Sequence, residues 1–143
     1  MDDIRPGDAG KKVRHIALIS VVDDDAPTRI STQRLLRTSG FTCEIFSSAE
    51  EFLQSGRAIA TACLLLDVKM PGMGGLELQR HLTEAGFPIP IIFVSARASE
   101  EEERRAMEAG AIGFLRKPVN TEALLLAIRE ALKTSPNEKR KMP

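Results

Sequence analysis

Four short apolar runs end on or near polar residues, and this placement constrains the chain more than any other feature. Ile16 to Val22 runs into Asp23, Asp24 and Asp25, Cys63 to Leu66 into Asp67, Ile91 to Val94 into Ser95, and Ile112 to Leu115 is followed by Lys117. Each run is partly β-branched and is followed by helix-like sequence, so the runs read as buried strands of a parallel α/β sheet. Such sheets bind ligands beyond the carboxyl ends of their strands. The carboxylates, the hydroxyl and the ammonium are therefore expected to converge on one crevice. Clustered acids repel one another and need a cation. Oxygen donors favour a hard one, Mg²⁺ or Mn²⁺, and a lysine beside it fits a phosphoryl group.

The rest of the chain supports this alternation. Strands are expected near 16 to 22, 41 to 46, 62 to 66, 90 to 94 and 111 to 115, and helices near 26 to 39, 48 to 55, 74 to 85, 99 to 109 and 121 to 133. Ser48 with Glu51 and Ser99 with Glu102 fit the capping box, in which two side chains satisfy the first free amides of a helix. Asp25 precedes Ala26-Pro27, so it reads as a helix cap and not as a ligand. Gly40, Gly86 and Gly110 stand where a left-handed C-cap leads into the next strand. Residues 1 to 13 read as a flexible leader and residues 134 to 143 as a polar tail or truncated linker. One domain over 14 to 133 lies between them. At 143 residues the chain is large enough to fold without staples.

The motifs resemble a known family. Val21-Val22-Asp23-Asp24-Asp25, then Leu65 to Glu77 with Asp67-Val68-Lys69-Met70-Pro71-Gly72, then Ile92-Phe93-Val94-Ser95-Ala96, then Phe114-Leu115-Arg116-Lys117-Pro118 occur in the order and spacing of the receiver domain of bacterial two-component response regulators. The resemblance implies a flavodoxin-like (βα)₅ fold. Its five-stranded parallel sheet would have the order 2-1-3-4-5, with helices on both faces and the ends of strands 1 and 3 at the switch point.

The resemblance also implies roles. Asp67 is expected to accept a phosphoryl group from a sensor histidine kinase or phosphotransfer protein. Asp24 would ligate Mg²⁺ directly, Asp23 directly or through water, with Asp67 and the Lys69 backbone carbonyl as further ligands. Lys117 would pair first with Asp67 and then with the phosphoryl oxygens, and a cis peptide before Pro118 is expected. Ser95 would donate to the phosphoryl group and Phe114 would swing inward as the second half of a switch, although an aromatic in a fifth strand is also ordinary core. Lys69 and Arg97 stand where receivers tune dephosphorylation. The readout face would be the fourth helix, fifth strand and fifth helix, through which a homodimer can form. The chain would be a phosphoacceptor and not a turnover enzyme.

Other classes fit less well. A haloacid-dehalogenase-like phosphatase needs a second acid two residues after the nucleophile, where Lys69 stands. No glycine-rich loop follows the first strand, which argues against a nucleotide-binding protein. A receiver-like module independent of phosphorylation would lack some of these site residues, and all are present. Acidic and basic residues number 20 each, so no overall field favours nucleic acid or membrane. With no apolar leader and no run near the length of a membrane span, a cytoplasmic location is expected. Cys43 and Cys63 read as buried thiols, Met70 and Met73 as loop packing, and His15 and His81 as lone histidines with His81 on a helix surface. Glu100 with Arg104 and Glu101 with Arg105 are expected as pairs on a solvated helix.

Overall fold

A computed structural model of the chain describes residues 17 to 135. The leader at 1 to 13, His15, the start of the first run and the tail from 136 onward lie outside the described residues. The elements alternate as β1 (Leu18–Val22), α1 (Ala26–Thr38), β2 (Thr42–Phe46), α2 (Ala49–Ser55), β3 (Thr61–Leu66), α3 (Gly75–Glu84), β4 (Ile91–Ser95), α4 (Glu100–Glu108), β5 (Gly113–Arg116) and α5 (Thr121–Thr134). A short 3-10 turn, Arg57–Ala60, connects α2 to β3 and was not anticipated. Helix α5 runs to Thr134 and is closed by buried Ser135, so the domain extends two residues into the segment read as tail.

The sheet is five-stranded and parallel in the order β2-β1-β3-β4-β5, as the resemblance implied. Its two faces bury separate cores. Val22, Phe46, Leu64, Leu66 and Phe93 pack with residues of α2, α3 and α4, whereas Ile19, Val21, Cys63, Leu65 and Ile92 pack with residues of α1 and α5. Neighbours along one strand thus serve opposite cores, and strands buried on both faces read as continuous apolar runs.

Three helices end in the same local way. Gly40, Gly86 and Gly110 have φ of 92°, 83° and 106°, conformations a side chain rarely adopts. After each of them the chain closes a Schellman-type turn, with Phe41 N–H donating to Leu36 O at 2.9 Å, Phe87 to Leu82 O at 2.9 Å and Ala111 to Ala106 O at 3.1 Å. The last of these moves β5 later than expected, because residues 110 and 111 belong to the cap of α4.

At the helix starts, Ser99 and Glu102 form the full capping box, but Ser48 and Glu51 form only half of one. Ser48 Oγ accepts the Glu51 amide at 3.0 Å, while the Glu51 carboxylate turns to the Ser47 amide at 2.6 Å. The expected ion pairs on α4 are also replaced. Arg104 pairs with Glu101 and, at 2.7 Å, with Glu108, so its guanidinium bridges residues on either side of it.

Candidate functional site

Backbone ladder bonds bring the functional residues into register before their side chains meet. Asp67 N–H donates to Val22 O at 3.1 Å and Asp23 N–H to Phe46 O at 3.1 Å, extending the parallel ladders just past β3 and β1. On the other side of the crevice Lys117 N–H donates to Ser95 O at 3.0 Å. Carboxylate oxygens of Asp23, Asp24 and Asp67 lie within 4.8 Å of one another, with Asp23 and Asp67 buried and Asp24 exposed. Asp25 stands apart as the N-cap of α1, its carboxylate accepting the Thr28 amide at 3.1 Å.

Lys117 enters from the far side, and the peptide before Pro118 is cis. Its ammonium lies 2.9 Å from Asp23 Oδ2 and 3.3 Å from Asp67 Oδ2, so the closer partner is Asp23 and not, as expected, Asp67. Asp23 also accepts the Asp25 amide at 2.9 Å, and the Arg29 guanidinium donates to its backbone carbonyl at 2.7 Å.

Burial pushes the Asp67 carboxyl above the usual carboxylate range. Lys117 opposes the shift, the Asp23 charge adds to it, and Ser95 opposes it least of all. Burial also works against the Lys117 ammonium, but its hydrogen bond to Asp23 and the two negative charges outweigh that and raise its pKa. Among the described residues, Ser95 Oγ is buried with no hydrogen-bond partner. We therefore read its effect on Asp67 as that of a nearby dipole, not of a formed bond. Buried polar atoms are rarely left unpaired, so this hydroxyl is a donor in want of an acceptor.

Phe114 is half-buried, stacked on Phe93 at 5.8 Å between ring centroids, with the Arg116 guanidinium 5.1 Å from the centre of its ring. Arg116 also donates to Ala98 O and pairs with Glu103 at 2.7 Å. The Lys69 ammonium is bonded to Glu102 Oε2 at 2.8 Å and not to the carboxylate cluster. Arg97 is exposed and has no ion-pair partner among the described residues. Beside the cluster, a cleft of about 630 Å³ runs between α1 and α5, bounded by Asp23, Asp67, Lys117, Thr28, Thr32 and Thr121.

A model of the response regulator receiver domain matches residues 19–129. The chain belongs to the receiver domain family. Response regulator protein TmoT of Ectopseudomonas mendocina is 42% identical over 140 residues, covering 96% of this chain and 64% of that protein. Among solved structures, response regulator StyR superposes with a TM-score of 0.79 and 43% identity over 87% of this chain and 63% of that one. FixJ-N superposes with a TM-score of 0.77 and 32% identity, covering 84% of this chain and 96% of that one. The chain therefore spans slightly under two thirds of the length of TmoT and of StyR.

The receiver brings together Asp23, Asp24, Asp67 and Lys117, and it places Ser95 beside them through the ladder to Lys117. Phe114, Lys69 and Arg97 lie outside this group. The contacts of Arg116 and the bond between Lys69 and Glu102 were not legible beforehand. Arg116, at the end of β5, ties the loop between β4 and α4 at Ala98 to Glu103 of α4, and Glu102 serves both the α4 cap and Lys69. No short-range pattern marks contacts between residues so distant in sequence.

Proposed function

We propose that this receiver is a phosphorylation switch in which Asp67 takes a phosphoryl group from a phosphohistidine of a sensor kinase or phosphotransfer protein. The observation that carries this reading is a carboxylate at the end of β3, held among two further carboxylates and one ammonium. An Asp67 oxygen attacks phosphorus, a P–O bond forms, the P–N bond breaks, and its electron pair leaves with the imidazole nitrogen. The chain is then substrate and catalyst together, and not a turnover enzyme.

The donor set fits a hard divalent cation, because it offers carboxylate oxygens with no sulfur or imidazole. Asp23, Asp24, Asp67 and the Lys69 carbonyl would hold Mg²⁺, or Mn²⁺. When bound, the ion would neutralise charge on the carboxylates and the incoming phosphoryl oxygens. Lys117 balances the opposite side, moving from its Asp23 and Asp67 contacts toward the phosphoryl oxygens. Ser95 supplies a donor, gaining the acceptor that it lacks, and its movement opens space for Phe114. The α4, β5 and α5 face then changes its partner binding. Lys69 and Arg97 tune water access. Lys69 would have to leave Glu102 to do so, and a shorter acyl-phosphate lifetime in Lys69→Ala or Arg97→Ala supports that role. A cytoplasmic location belongs to the same proposal, and no helix among the described residues is long and apolar enough to cross a membrane.

The test is intact mass after incubation with acetyl phosphate and Mg²⁺. One phosphoryl group on wild type, absent from Asp67→Asn and absent with EDTA, is the expected result. An unmodified wild type, with donor active on a control receiver, would contradict the proposal.

A further inference from the structure

We propose that Glu50, in the first turn of α2, is a positioning residue for the divalent-cation site, bracing the loop between β3 and α3 that follows Asp67. The inference rests on the switch reading above and adds a residue from an element that contributes nothing to the carboxylate cluster.

The loop is anchored at both ends by backbone hydrogen bonds. Asp67 N–H is held by Val22 O, and Gly75 N–H donates to Val68 O at 2.9 Å. Gly75 allows this closure, since a Cβ there would lie 2.1 Å from Asp67 O. Between these anchors the segment from Lys69 to Gly74 makes, among the described residues, one side-chain-to-backbone bond, in which Met73 N–H donates to Glu50 Oε2 at 2.8 Å. Glu50 is 23 residues away from Met73, so it ties the loop to a different element.

Gly72 is shaped to this contact. It has φ of 72°, and a Cβ on it would come within 2.6 Å of the same carboxylate oxygen. Met70 and Met73 pack against the core that holds Ala49 and Phe52 of α2, so apolar contact draws the loop to the same helix. The Met73 amide is the first cause that holds the Glu50 carboxyl below its ordinary range, as expected for a bond to the charged form.

An acid in the first turn of a helix also favours the helix dipole, and that alone would be a purely structural role. The two roles predict different readouts. A helix-stabilising acid changes the metal-free melting temperature, whereas a loop brace changes the affinity of the site for the cation. Glu51 supplies the control, because it lies in the same turn and binds Ser47 instead of the loop.

The experiment measures the melting temperature of the full chain against MgCl₂ concentration for wild type, Glu50→Ala, Glu50→Gln, Glu51→Ala and Gly72→Ala. Acetyl phosphate labelling at saturating Mg²⁺ is measured in parallel. Groups that support metal ligands commonly change affinity about 10–100-fold. Glu50 acts one step further out, so we expect about 3–10-fold weaker Mg²⁺ binding in Glu50→Ala. Labelling at saturating Mg²⁺ should stay near wild type. Glu50→Gln, whose amide oxygen still accepts the Met73 proton, should recover most of the affinity, and Glu51→Ala should bind Mg²⁺ like wild type. Gly72→Ala displaces the carboxylate by a second route and should weaken Mg²⁺ binding even if Glu50→Ala does not fold.

Superimposable Mg²⁺ titrations for wild type and both loop-releasing variants would overturn the proposal while leaving the switch reading intact. So would an equal loss in Glu51→Ala, which would mean general loosening of α2. A wild type with no Mg²⁺ response would remove the switch reading itself, and the proposal with it.

Discussion

Burial sets the character of Asp67 before any ligand arrives. Its carboxyl is raised because desolvation and the neighbouring Asp23 charge disfavour ionisation more than Lys117 favours it. A carboxyl whose folded value lies above its unfolded value destabilises the fold once ionised. That cost is fully present above the raised folded value and fades as pH falls toward the ordinary carboxylate range. Asp67→Asn should therefore melt a few degrees above wild type at neutral pH without Mg²⁺, with the gap closing in acid. Differential scanning calorimetry across pH checks this, and a variant melting below wild type at neutral pH would contradict it. The cysteines are simpler. Burial raises Cys63 to about 12 and Cys43 to about 11, so the reactive thiolate is scarce at pH 8. Both thiols are free and should react with Ellman's reagent only after denaturation. Fast labelling of the native protein would show that one of these strands opens.

The helices carry their boundaries in short sequence patterns, which is why those boundaries were legible. Ser99 satisfies Glu102 N–H at 3.0 Å while Glu102 returns the favour to Ser99 N–H at 2.9 Å. Ser99→Ala should cost about 1–2 kcal/mol and Ser48→Ala about 0.5–1 kcal/mol, because only the first loses a reciprocal pair. Urea midpoints of the two variants test the ordering. The parts of the elements that were not legible depend on competition. Glu51 had two amides within reach and took Ser47, and Arg104 had several acids within reach and took Glu101 and Glu108. Such choices differ by small energies at an exposed surface, and spacing alone does not rank them.

At the scale of the molecule, Met107, Ile112 and Leu126 are 42%, 41% and 59% exposed on the α4, β5 and α5 side. If phosphorylation readies this face for a second copy, sedimentation velocity should show association with acetyl phosphate and Mg²⁺. Leu126→Glu should abolish the association while intact mass still shows the phosphoryl adduct. Association that persists in Leu126→Glu would move the interface elsewhere. The sequence by itself determined the alternation of strands and helices and the placing of Asp23, Asp67, Ser95 and Lys117 at or near strand ends. Hydrophobic periodicity and capping are local, and a few neighbouring residues fix them. Only the tertiary structure decided that Lys117 sits closer to Asp23 than to Asp67, that Lys69 turns to Glu102, and that Glu50 accepts the Met73 amide in the loop after Asp67. These contacts join residues separated by 94, 33 and 23 positions, and their partners are chosen by ladder register and packing once the sheet has closed.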